Sequence, residues 1–331
     1  MKKIITCILF SISITALAKV DSLLVSPKNV LELPPNSVLM PNTIMNMFLN
    51  PLTNEPELPL FVVKGQVNSF TGQIATVVAG KMQLETVNLA YVPLTNNFLP
   101  NYCNYNINGS LLCFRSNSLN LDDNKILYQL SSSSHIGEQR NINVGVMGAS
   151  VKFFAVTQFE SNGEPIKYTA ISNDNFNKTM ILISCTNAQC IKTKLGVKPS
   201  VADSRFQIIN NKLYFIAGTK SNEIVQIDLL TNEYTVLELN VSGISALSVD
   251  KLGNLYVLNQ LTEPTVKPGS FAIAKCVAKS DKCQTIYTEK VYGAQYDATF
   301  IGVDDQWIYL VASNINPKTY ASTNVLVRIV K

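Results

Sequence analysis

Four short runs of β-branched, aliphatic and aromatic residues follow one another between Phe206 and Leu239: FQIINN, KLYFIAG, EIVQIDLL and EYTVLEL. Asn-Asn, Gly-Thr-Lys-Ser-Asn and Thr-Asn separate them, and these residue types favour turns because they tolerate left-handed dihedrals or hydrogen-bond their own backbone. The connections are too short to carry a helix. An antiparallel four-stranded meander is the simple arrangement left.

The unit recurs. ISALSVDKLG, NLYVLNQ, SFAIAKCVA and KCQTIYTE follow it, then ATFIGVDDQ, WIYLVASN and NVLVRIVK. Upstream, SLNLDDN with KILYQLSS and FFAVTQFESNG with PIKYTAIS match its first two strands. The second strand of each copy carries a tyrosine, at Tyr128, Tyr168, Tyr214, Tyr256 and Tyr309, with Tyr91 in phase before them. The separations of 40, 46, 42 and 53 residues match repeats of four strands each. A β-sandwich also shows short strands at regular spacing, but the tyrosine's fixed place just after a Gly, Asn or Asp turn favours repeats. On DNKILYQL, NNKLYFIA, LGNLYVLN and DDQWIYLV the chain resembles the β-propeller superfamily over residues 60–331. The resemblance implies an all-β propeller of four-stranded antiparallel blades. Six blades account for the repeats, and seven would follow if residues 68–118 hold further strands. There is no Gly-His…Trp-Asp signature, and the chain has 1 tryptophan, Trp307.

Residues 1–18 read as a signal peptide. Met1-Lys2-Lys3 is a positive start, Ile4–Thr15 an apolar stretch, and Ala16-Leu17-Ala18 a small-x-small cleavage site. Export to the periplasm or beyond follows. No later stretch is apolar for long enough to cross a membrane as a helix. The net charge of +4 includes the two leader lysines, and no basic run occurs, so nucleic acid is not an implied partner. Six cysteines outside the leader fall in three local pairs: Cys103 with Cys113, Cys185 with Cys190, and Cys276 with Cys283. Each pair flanks a turn read as joining the third strand of a repeat to the fourth. Hairpin partners can bring their Cβ atoms to disulfide distance, and an oxidising compartment would keep such bonds. A zinc site would need two pairs meeting as thiolates.

Residues 19–59 are proline-rich and read as an extended arm, with a short helix from Asn42 to Leu49 as its one regular element. Residues 60–67 read as an isolated strand. The last repeat offers only three strands, so this N-terminal strand is expected to complete it and close the ring.

Catalytic chemistry finds little to work with. His135, the 1 histidine, lies in SSSSHIGEQR without a G-x-S-x-G nucleophile motif. Asp122-Asp123, Asp250 and Asp304-Asp305 recur at the turn between first and second strands, where aspartate bonds its own backbone; calcium would need a denser oxygen set. No cofactor is implied. The connections between second and third strands vary most, including 131–140, 259–270 and 313–323, and long polar loops on a rigid scaffold are a usual seat of binding. His135, Lys267, Asn316 and Tyr320 are the expected contact residues. The sequence points to an exported, non-catalytic protein presenting this rim to a protein or a glycan. The alternatives are a metal-dependent hydrolase or lactonase with its site at the central channel, and an envelope assembly scaffold held by the proline-rich arm.

Overall fold

The computed structural model describes residues 30–31, 37–44, 48–49, 56–64, 71–78, 81–88, 102–105, 111–116, 125–131, 136–143, 151–159, 165–174, 179–186, 190–200, 206–260, 270–289, 295–315 and 322–331. The expected signal peptide lies outside them. All the described elements are strands, and they fall into six antiparallel sheets.

Sheet I contains β2 (Ser37–Ile44), β3 (Phe48–Leu49), β4 (Pro56–Lys64), β5 (Thr71–Val78) and β6 (Lys81–Asn88). Its path is β2-β4-β5-β6, with β3 on β4. Sheet II is β7 (Tyr102–Tyr105), β8 (Leu111–Ser116), β9 (Lys125–Ser131) and β10 (Ile136–Asn143). Sheet III is β11 (Val151–Phe159), β12 (Pro165–Asp174), β13 (Thr179–Thr186) and β14 (Cys190–Lys194). Sheet IV is β15 (Phe206–Ile209), β16 (Lys212–Ala217), β17 (Glu223–Asp228) and β18 (Tyr234–Glu238), the four runs that open the sequence argument. Sheet V is β19 (Ile244–Val249), β20 (Leu255–Gln260), β21 (Phe271–Cys276) and β22 (Cys283–Glu289). Sheet VI is β23 (Gln295–Val303), β24 (Trp307–Ile315) and β25 (Ser322–Val330), joined by β1 (Val30–Leu31).

Sheets II to V each run through their strands in sequence order, and the inner strand β19 packs against both β15 and β23. Successive four-stranded meanders standing side by side in this way make the fold a β-propeller.

The side-chain alternation explains why the second strands read as unbroken apolar runs. In β20, Leu255 and Val257 pack with Tyr214, Ile216 and Ile224 of sheet IV, whereas Tyr256 and Leu258 pack with Val303, Ile308 and Leu310 of sheet VI. Both faces of the sheet are covered by its neighbours here, so Leu255, Tyr256, Val257 and Leu258 are all buried and the usual polar alternation disappears.

Four expectations require correction. The strand completing the last sheet is β1, pairing Val30 with Val327 and Leu31 with Leu326, and not residues 60–67. Residues 56–64 already have β2 on one side and β5 on the other. Of the segment from Asn42 to Leu49, the described residues are strand and not helix: residues 42–44 end β2, and Phe48–Leu49 is β3. Proline is tolerated there because β2 is an edge strand and its register jumps between Leu39 and Ile44, around Pro41. Sheet II is out of phase with the sequence assignment: Tyr128 sits on its third strand, while Tyr168, Tyr214, Tyr256 and Tyr309 sit on second strands as expected. Residues 68–118 supply β5 to β8, which the sequence did not separate, and that shift moves the assignment by one strand.

The cysteine hairpins follow. Cys185 is disulfide-bonded to Cys190 and Cys276 to Cys283, each pair directly opposed across third and fourth strands. Cys103 and Cys113 are also opposed, but across the first and second strands of sheet II. Among the described residues no helix is long and apolar enough to cross a membrane.

Candidate functional site

The rim residues expected to bind, His135, Lys267, Asn316 and Tyr320, lie outside the described residues. His135 falls between β9 and β10, a connection from third to fourth strand, and Ile136–Asn143 is strand, so 131–140 is not the second-to-third loop the sequence suggested. The second-to-third connection of sheet IV, residues 218–222, is described. It is fastened to the links between sheets: Gly218 N–H donates to the Lys198 carbonyl at 2.8 Å, the Ser200 and Ser221 hydroxyls are 2.7 Å apart, and Gly243 N–H donates to the Lys220 carbonyl at 3.0 Å.

On the opposite rim the aspartate turns are occupied by their own surroundings. Asp250 accepts from the backbone N–H of Leu252 and Asn254, from Asn254 Nδ2 at 2.9 Å, from the Tyr256 hydroxyl at 3.4 Å, and from Lys331 Nζ at 3.0 Å. Asp304 accepts from the backbone of Gln306 and Trp307 and from the Tyr309 hydroxyl. Burial pushes the Asp250 carboxyl up, but the hydrogen bonds from Asn254 and Lys331 outweigh it and leave its pKa lowered. Among the described residues no group of three or more His, Cys, Asp or Glu could hold a metal ion. These turns fix the second-strand tyrosines and the join between sheets V and VI.

Sheet IV departs from this pattern. Its first turn is Asn210-Asn211, both at positive φ (50° and 59°), a two-residue hairpin turn with no carboxylate. Tyr214, the counterpart of Tyr256 and Tyr309, therefore has no turn aspartate to donate to. Register places Gln207, Tyr214, Gln226 and Thr235 opposite one another across all four strands, so their side chains share the face turned towards sheet V.

The inner end of that row is closed. Gln207 Nε2 donates to the Ser248 hydroxyl at 2.9 Å, and its Oε1 accepts from the Val249 N–H. Farther out the two sheets part, leaving a cleft of about 260 Å³ lined by Tyr214, Gln226 and Thr235 on one side and Gly253, Leu255 and Lys279 on the other. Ile224 and Leu237, two residues along the same face, add apolar wall. Tyr214 is only 5% exposed, and among the described residues neither its hydroxyl nor the Gln226 amide has a protein hydrogen-bond partner. Burial, with the Asp250 carboxylate nearby, pushes the Tyr214 pKa up to about 12, so the hydroxyl keeps its proton throughout the physiological range. Lys279, at φ 62° in the turn between β21 and β22, reaches the cleft from sheet V.

The corresponding space between sheets V and VI is filled. Lys275 and Lys331 place their ammonium groups 5.6 and 5.0 Å from the centre of the Tyr256 ring, and Lys331 also donates to Asp250. The sequence reasoning missed the cleft. The signal was present in the Asn-Asn turn, which breaks the aspartate pattern in one copy.

Fold and site together define a β-propeller with an open, partly polar cleft between two adjacent blades. No protein-family model matches the sequence, and no curated protein sequence matches it. Among solved structures the chain is similar to the RRP9 WD40 repeats, at 9% identity over 91% of this chain and 84% of that one with a TM-score of 0.44. It is also similar to the polysaccharide lyase Uly1 (8% identity, 86% and 76% covered, TM-score 0.46) and to the SapL1 lectin in complex with alpha methyl fucoside (10% identity, 85% and 95% covered, TM-score 0.43). At such identities and TM-scores the likeness says nothing about what this chain binds.

Proposed function

We propose that this is an exported, non-catalytic binding protein whose partner is a protein or a glycan. The observation that carries the proposal is the cleft between sheets IV and V, where polar side chains without protein partners meet an apolar wall on a rigid scaffold. A small number of placed polar groups in a mostly apolar concavity is the usual make-up of a ligand site. The described lining contains no carboxylate, imidazole or thiol to serve as nucleophile or general base. Two hairpin disulfides suit an oxidising compartment and so support export. The rim residues His135, Lys267, Asn316 and Tyr320 remain proposed as further contacts for a large partner.

The test is a binding screen of the leaderless chain against arrayed glycans and exported proteins, repeated with Gln226→Leu. Hits weakened by Gln226→Leu are expected. A blank screen, or metal-dependent turnover of a lactone or ester panel, would replace this proposal with the enzymatic alternative.

A further inference from the structure

Resting on that proposal, the chemistry of the cleft also selects a ligand class. We infer that the cleft between sheets IV and V takes a single carboxylate-bearing sugar ring, either free or as the terminal unit of an acidic polysaccharide.

Three features lead there. The first is charge: of the residues lining the cleft, Lys279 carries a charge and no acid faces it from the lining. Among the described residues its ammonium group has no ion-pair partner. A ligand carboxylate would give it a charge-assisted hydrogen bond, the strong kind. The second is the row of Tyr214, Gln226 and Thr235, which lines the cleft in register across three neighbouring strands. Each can donate, and each also offers an acceptor, so the row suits adjacent ring hydroxyls, which have the same dual character. Tyr214 stays protonated, and its hydroxyl, without a protein partner, lines the open cleft, where a bound hydroxyl or carboxylate can accept from it. The third is shape. The apolar wall of Ile224, Leu237 and Leu255 offers a surface for the C–H face of a pyranose. At about 260 Å³ the cleft falls below the roughly 300–1,000 Å³ of sites for drug-sized ligands, which limits it to one ring.

The contrast with the next pair of sheets supports the inference. There the protein's own Lys331 and Lys275 occupy the space beside Tyr256. In the open cleft Lys279 stands on the far wall, and the ligand takes the place between it and the tyrosine.

The experiment is calorimetric titration of the leaderless chain with sodium glucuronate, glucose and a short oligogalacturonate, in low salt. Three proteins are compared: wild type, Tyr214→Phe and Lys279→Asn. Asparagine is chosen because it tolerates the left-handed conformation of residue 279. Wild type should bind glucuronate about tenfold or more tighter than glucose, the order of one charge-assisted contact. Lys279→Asn should remove that preference, bringing glucuronate affinity down to that of glucose, while Tyr214→Phe should weaken both sugars severalfold. Tighter binding of the oligomer than of glucuronate identifies a polysaccharide terminus, and equal binding identifies the free sugar. Equal affinity for glucuronate and glucose in wild type, a preference that survives in Lys279→Asn, or no binding of any of the three at millimolar concentration overturns the inference. A positive glycan or protein screen beside a negative titration would leave the binding function standing and remove only this ligand class.

Discussion

Lys331 Nζ lies 3.0 Å from Asp250 Oδ2, joining the last strand of sheet VI to the first turn of sheet V. Both side chains are largely buried, at 16% and 2% exposure, and the same ammonium group donates to the Asp304 carbonyl at 3.2 Å. The contact ties the two sheets at this rim, where Lys251 of the same turn also pairs with Asp305 of sheet VI.

Replacing Lys331 with Met should cost about 2 kcal/mol. That is below the roughly 3–5 kcal/mol for removing one partner of a buried pair, because Asp250 keeps its bonds to Leu252, Asn254 and Tyr256. The Asp250 pKa is lowered in the folded state, so its contribution is present above the ordinary carboxyl range and lost as pH falls below about 4. Urea melts of wild type and Asp250→Asn should therefore differ at pH 7 and converge as the pH is lowered through that range. A gap that stays constant with pH would show that the carboxylate's charge is not what stabilises.

The three second-strand tyrosines should respond differently to loss of the hydroxyl. Tyr309→Phe strands the buried Asp304 Oδ2 and should destabilise by about 1–3 kcal/mol, whereas after Tyr256→Phe the Asp250 Oδ2 still accepts from Asn254 and Lys331, so the loss should be about 1 kcal/mol or less. Tyr214→Phe removes no protein hydrogen bond and should stay within about 0.5 kcal/mol of wild type in the absence of ligand. Equal losses at all three positions in thermal melts would mean that Tyr214 is bonded within the protein after all.

Peptide mapping without reduction should recover Cys185–Cys190 and Cys276–Cys283 as linked pairs. The backbone register predicts Cys103–Cys113 as a third. Each loop is short, so each bond should contribute about 2 kcal/mol by restricting the unfolded chain. A linkage crossing between sheets would contradict the strand pairing.

The pairing of β1 with β25 makes a truncation test possible. A chain starting at Pro27 keeps Val30 and Leu31; one starting at Glu32 leaves β25 with an open edge. The shorter chain should melt lower and aggregate sooner, since unpaired edges recruit other strands. Equal behaviour of the two would show that this two-residue strand does not matter.

Much of the fold was legible because strand and turn chemistry are local. The runs from Phe206 to Leu239 and from Ile244 to Glu289 become strands where the sequence marks them, and the Asn, Gly and Asp turns fall between them. Two of the cysteine pairs were readable for the same reason: a hairpin places residues close in sequence opposite each other. What could not be read was pairing over long distances. That Val30 and Leu31, rather than residues 60–67, meet β25 depends on which segment has free backbone partners once the chain is folded, and β4 has none left after β2 and β5 take both its edges. The cleft belongs to the same category. Sequence placed Tyr214, Gln226 and Thr235 on strands and Lys279 in a turn, but register set the first three in one row, and the divergence of two sheets left the space beside them open. Local propensity determines which residues form a strand; only the packing of one sheet against the next decides which of them remain without a partner.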